Sequence, residues 1–128
     1  MAPTHVLNWY VGWWMILAAF ITGAGLGLFF HREDFWGGYQ SFRRRIVRLG
    51  HIALAALGML NILYSLSPWP LAENWYGLAA GWAFIVGGIS MPSVCFLSGW
   101  RKPFRHLFAI PVVSLVLGVV WTLQGAPS

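Results

Sequence analysis

The sequence predicts an all-α, polytopic membrane protein, with four transmembrane helices in an up-down bundle. Three observations lead there. Of the 128 residues, 59% are hydrophobic and only 9% charged, against about 25% charged in an ordinary soluble domain. The apolar residues fall into four runs, each about as long as the roughly 20-residue helix a bilayer requires. All eight Lys and Arg residues lie in or beside two of the three connections: Arg32, Arg43, Arg44, Arg45 and Arg48 around the first, Arg101, Lys102 and Arg105 around the third. By the positive-inside rule those two connections face the cytoplasm and both termini face the other side. The whole chain, 1–128, reads as one integral membrane domain, with spans at about 9–30, 46–66, 77–97 and 106–123.

The first eight residues carry no basic side chain and no small-residue cleavage pattern. The first apolar run is therefore expected to be a retained span rather than a signal peptide. It opens on Trp9, Tyr10, Trp13 and Trp14, an interfacial aromatic cluster. Gly23 and Gly27 form a small-xxx-small pair that permits close helix approach. His31 ends the span and shares a face with Gly27. The loop that follows mixes Phe35, Trp36, Tyr39 and Phe42 with Glu33, Asp34 and the arginines, and Gly37-Gly38 supplies its turn.

The second span places His51, Ala55, Gly58, Ile62 and Ser65 on one face, with Asn61 at its edge. Ser67-Pro68-Trp69-Pro70 should end it, because proline cannot continue a helix. In the third span, Gly77, Gly81, Phe84, Gly88 and Cys95 share a face, and Pro92 should kink the helix near its far end. The fourth carries Pro111, Ser114 and Gly118 on one face, with His106 pointing away from it.

Composition also excludes. The net charge of +5 does not indicate nucleic acid, because the basic residues flank apolar runs and so reflect topology and anionic lipid, with Arg43, Arg44 and Arg45 as the lipid contacts. A lone Cys95 cannot form an internal disulfide. The three acids, Glu33, Asp34 and Glu73, all lie in loops. A proton-coupled exporter usually keeps a carboxylate inside the membrane. No hydrolase triad or phosphate-binding loop is present, so an enzyme acting alone is not expected.

The histidines are the remaining chemistry. His31 and His51 bracket the first loop at matched depth, each beside small residues. Neutral imidazole is an ordinary axial ligand of haem iron, and Arg45 and Arg48 suit propionate carboxylates. The sequence thus points to a small membrane subunit that transfers electrons through a b-type haem or a quinone near the cytoplasmic face of a bacterial inner membrane. His31 and His51 would be the metal ligands; Arg45, Arg48, Gly27, Gly58 and Asn61 would line the site. The competing expectation is a non-catalytic scaffold or accessory subunit, packed against larger membrane partners or further copies of itself. A small channel or transporter is a weaker third, since beyond Asn61, Ser90, Ser93 and Ser114 the spans offer few groups for a polar path.

Overall fold

The computed structural model describes residues 4–30, 41–67 and 75–125. It is helical almost throughout: α1 (Thr4–Phe30), α2 (Phe42–Ser65), α3 (Trp75–Trp100), a short 3-10 helix (Lys102–Phe108) and α4 (Ala109–Gly125). Four stretches are long and apolar enough to cross a membrane: His5–Leu28, Arg44–Ser65, Trp75–Trp100 and His106–Gly125. Their outer faces expose large apolar side chains such as Phe20, Ile21, Leu63 and Val116, which hydrocarbon would solvate.

The helices begin and end for local reasons. Ser41 caps α2, its hydroxyl accepting from the Arg44 backbone N–H at 3.2 Å. At the other end of α2 the Leu66 and Ser67 backbone N–H groups turn back to the Leu63 and Tyr64 carbonyls, just before Pro68. The fourth membrane-length stretch starts at His106, but its first residues belong to a 3-10 helix with proline near its start, because Pro103 sets a helical φ at a position that needs no intrahelical donor. Pro111 then falls in the first turn of α4, where the missing N–H again costs no helical bond. Pro92 lies inside α3, which stays helical on both sides of it. At its start, α1 extends beyond the expected span, and this brings His5 and Asn8 into the helix.

Each helix packs on its neighbour in sequence. α3 is the most buried, α1 makes a smaller contact with α3, and α4 leans on α3 without comparable contact with α1 or α2. Glycines allow the close crossings. A Cβ on Gly12 would lie 2.5 Å from the Gly58 carbonyl oxygen, and one on Gly58 would lie 2.8 Å from that of Gly12. α1 and α2 therefore meet backbone to backbone. Between α3 and α4, the Phe84 ring fills the space above Gly118. Tyr64, Ala80 and Phe84 form the buried core, flanked by Leu60, Leu115 and Trp121.

Candidate functional site

Polar side chains gather at two places along the seam between α1 and α2. At the end rich in arginine, the first turns of α2 present Arg44, Arg48 and His51 at i, i+4 and i+7, hence on one face. Arg44 is buried at 3% exposure, Arg48 and His51 are half-buried, and Arg45 is exposed. The first turn of α2 contains no acidic residue, so the basic side chains gather at this helix N-terminus.

Across from it, His51 is held by α1. Its Nδ1 lies 3.2 Å from Thr22 Oγ1. The Thr22 hydroxyl lies nearer the Ala18 carbonyl, at 2.8 Å. A hydroxyl has one hydrogen to donate. Given to Ala18, it leaves Thr22 Oγ1 as acceptor and makes His51 Nδ1–H the donor. The bonding pattern therefore assigns the tautomer and leaves His51 Nε2 as the basic nitrogen. The His51 ring also covers Gly23, where a Cβ would sit 2.8 Å from Cε1.

One turn from this pair begins an apolar groove of about 330 Å³. One side is the α1 stripe Val11, Trp14, Met15 and Ala18; the other is the α3 stripe Ile89, Pro92, Ser93 and Phe96, with Leu54 of α2 between them. Both stripes follow i, i+3, i+4, i+7, so each is a single helix face. Ala18 precedes Thr22 by one turn, and Leu54 follows His51 by three residues, so the groove leads towards the Thr22–His51 bond.

The second polar cluster lies towards the start of α1. Asn8 and Asn61 are both fully buried. Asn8 Nδ2 donates to Asn61 Oδ1 at 2.7 Å and to the Gly81 carbonyl at 3.1 Å. Asn61 Nδ2 donates to the carbonyls of Leu57 at 2.9 Å and Phe84 at 3.2 Å. The Tyr64 hydroxyl donates to the Gly77 carbonyl. Three helices are thereby tied together.

The expected site residues divide accordingly. His51 and Arg48 share a face, with Arg45 one turn away on the exposed side. His31 lies outside the described residues. Gly27 faces open space, with nothing within 4 Å of where its Cβ would be. Gly58 is occupied by the crossing with Gly12. Asn61 is about 15 Å along α2 from His51 at 1.5 Å per residue, and its amide serves the other cluster. The space beside Gly23 and Gly58 is filled by protein, by the His51 ring at the first and by α1 at the second. Among the described residues, no group of three or more His, Cys, Asp or Glu is placed to hold a metal ion. Ser90 and Ser93 return their hydroxyls to their own helix, at Gly87 and Ile89, and so leave a polar channel path poorly furnished.

Two participants were not expected from sequence, Thr22 and Asn8, and Arg44 was expected only as a lipid contact. Each of the two stands at a helical spacing from a small residue, Thr22 four after Ala18 and Asn8 four before Gly12. Comparison with protein-family models, with curated proteins and with solved structures finds no match.

Proposed function

We propose that the protein is a small electron-transfer subunit of a bacterial-type inner membrane that binds a quinol at the arginine-rich end of the α1–α2 seam. One observation carries the reading: an imidazole fixed through Nδ1 by Thr22, with Nε2 basic, beside an apolar groove. A quinol is the matching ligand in kind. Its head group offers hydroxyl donors and its isoprenoid tail is apolar. In this reading the tail lies between α1 and α3, and His51 Nε2 accepts a proton from the head-group hydroxyl. Oxidation to quinone releases two electrons and two protons. The electrons pass one at a time to a one-electron carrier on a partner membrane subunit, reoxidised between the two transfers, and His51 takes the two head-group protons in turn and hands each to the polar loop side. The up-down order, with both basic connections on the cytoplasmic side, belongs to the same proposal. So does contact of Arg43, Arg44 and Arg45 with anionic lipid, which the gathering of basic residues beside a membrane-length helix supports.

The test is a titration of the purified protein, in lipid nanodiscs, with a short-chain quinol, read together with the visible spectrum. Saturable binding is expected. His51→Ala should weaken it at least about tenfold and Thr22→Val by about three- to tenfold, the range for one hydrogen bond. A Soret band lost in His51→Ala would instead make the ligand a b-type haem.

A scaffold is the second reading, favoured by the flank of α1 at Gly25 and Gly27, where nothing among the described residues lies within 4 Å of either Cβ position. Small residues open to lipid are where membrane helices associate. A colourless protein that binds no quinol yet copurifies with fixed membrane partners would establish this reading in place of the first.

A further inference from the structure

The apolar groove between α1 and α3 carries an aromatic ring at the end nearest His51. We propose that Phe96 determines what the site accepts, its ring being the platform on which the flat face of the quinol head group rests. The inference rests on the quinol reading and adds to it the residue that tells an aromatic head group from a plain lipid chain.

Three observations carry it. The first is placement. Leu54, on the groove floor, follows Gly50 by four residues and His51 by three, so all three belong to one face of α2. From that face His51 meets α1, at Thr22 and Gly23. Gly50 meets α3: a Cβ there would lie 2.8 Å from Cys95 Cβ and 3.2 Å from Phe96 Cε1. The close approach that glycine permits thus brings the Phe96 ring beside His51, on the other wall of the groove.

The second is that the ring is only partly used by the protein. Phe84, the other phenylalanine of α3, is buried against Tyr64 and Gly118. Phe96 is half-buried and lines the groove. The third is the chemistry of the lining. Next to Phe96 stand Ala18 and Leu54, and the Ser93 hydroxyl is turned to the Ile89 carbonyl at 2.7 Å. Trp14 is about 12 Å along α1 from Thr22 at 1.5 Å per residue, beside the tail rather than the head group. A saturated chain gains little from Phe96 that leucine would not supply. An aromatic ring gains an offset-stacked or edge-to-face contact as well.

The test compares two ligands that share a decyl tail and two ring hydroxyls, a decyl-benzoquinol kept reduced under argon and the corresponding decyl-cyclohexanediol. Each is titrated calorimetrically into the protein in nanodiscs. Phe96→Leu should weaken the benzoquinol about two- to tenfold, the range of an aromatic pair beyond burial, and the diol less than about twofold. Phe96→Met, which fills the space with an unbranched chain, should do the same, so the comparison survives if one variant fails to fold. Phe96→Tyr should restore benzoquinol binding, because it restores the ring. Equal weakening of both ligands, no weakening of either, or a Phe96→Tyr variant as weak as Phe96→Leu would overturn the role of Phe96. The quinol reading would survive each of these outcomes if His51→Ala still abolished benzoquinol binding. No saturable benzoquinol binding by the unaltered protein would overturn both.

Discussion

Where α1 begins, its seam with α2 is closed by polar bonds that use nearly every donor: Asn8 reaches Asn61 and Gly81, and Asn61 reaches Phe84 on α3. Where α1 ends, a single side-chain bond, Thr22 to His51, crosses the seam among the described residues; beyond it the His51 ring covers Gly23, while Gly25 and Gly27 meet nothing among the described residues. The first end is a clamp. In hydrocarbon an unpaired amide donor is costly, so the amide N–H groups of Asn8 and Asn61, all four bonded to Asn61 or to backbone carbonyls, hold register between three helices. At the other end the His51 ring is held through Nδ1 by Thr22, which leaves Nε2 outside that bond. The contrast separates what holds the helices together from what is left for a ligand.

The largest effect should come from Gly12→Val. The new Cβ would meet the Gly58 carbonyl oxygen at 2.5 Å and the Ile62 backbone nitrogen at 3.1 Å, and backbone atoms cannot turn aside as a side chain can. A loss of about 3 kcal/mol, the upper part of the usual overpacking range, is expected in equilibrium unfolding from detergent micelles. An unchanged unfolding midpoint would mean that the helices do not cross here. Next is Asn61→Leu, which removes the shared centre of the clamp and should cost about 1–2 kcal/mol. A double-mutant cycle with Asn8→Leu should give a coupling of about 0.6–1.7 kcal/mol. Additive losses would dissolve the clamp into two unrelated asparagines.

The helical class was legible in the sequence, because hydrophobic run length reports directly on the bilayer, and four helices are long and apolar enough to cross one. Helix ends moved where a rule other than hydropathy decided: Pro103 imposed a 3-10 helix on residues read as the start of a span, and Asn8, read as tail, became helical because its amide finds partners on α2 and α3. The site was less legible. Gly58 and Asn61 were grouped with His51 because they share a helix face, but a face runs the length of the helix and says nothing of depth. Gly23 was read as room for a cofactor, whereas the space a glycine leaves can equally be filled by a neighbour, here the His51 ring. Thr22 escaped notice because one hydroxyl in an apolar run ordinarily bonds its own helix, as this one also does with Ala18.

Thr22→Val is the third and smaller break, at the open end. It keeps the side-chain shape and deletes the acceptor for His51 Nδ1–H, so stability should fall by about 0.5–1 kcal/mol. The more telling outcome is chemical. Without Thr22 the imidazole tautomer is no longer fixed, so nitrogen NMR of labelled His51 should change from one neutral tautomer to a mixture. A spectrum that stays with Nδ1 protonated in the variant would show that something other than Thr22 sets the ring.

The smallest expected effect has the opposite sign. Gly27→Ala adds a methyl group where nothing lies within 4 Å, and it removes the entropy cost of a glycine within a helix, about 0.5–1 kcal/mol. The isolated protein should therefore become slightly more stable, on the same helix where Gly12→Val unfolds it. The sign also tests the scaffold reading, because a partner helix seated on Gly27 would feel that methyl group as a clash. A variant more stable alone but less able to copurify with membrane partners would place an interface on this flank. A variant more stable alone and unchanged in its associations would leave Gly27 facing lipid, and the open end of the seam would then be kept for a small ligand rather than for another helix.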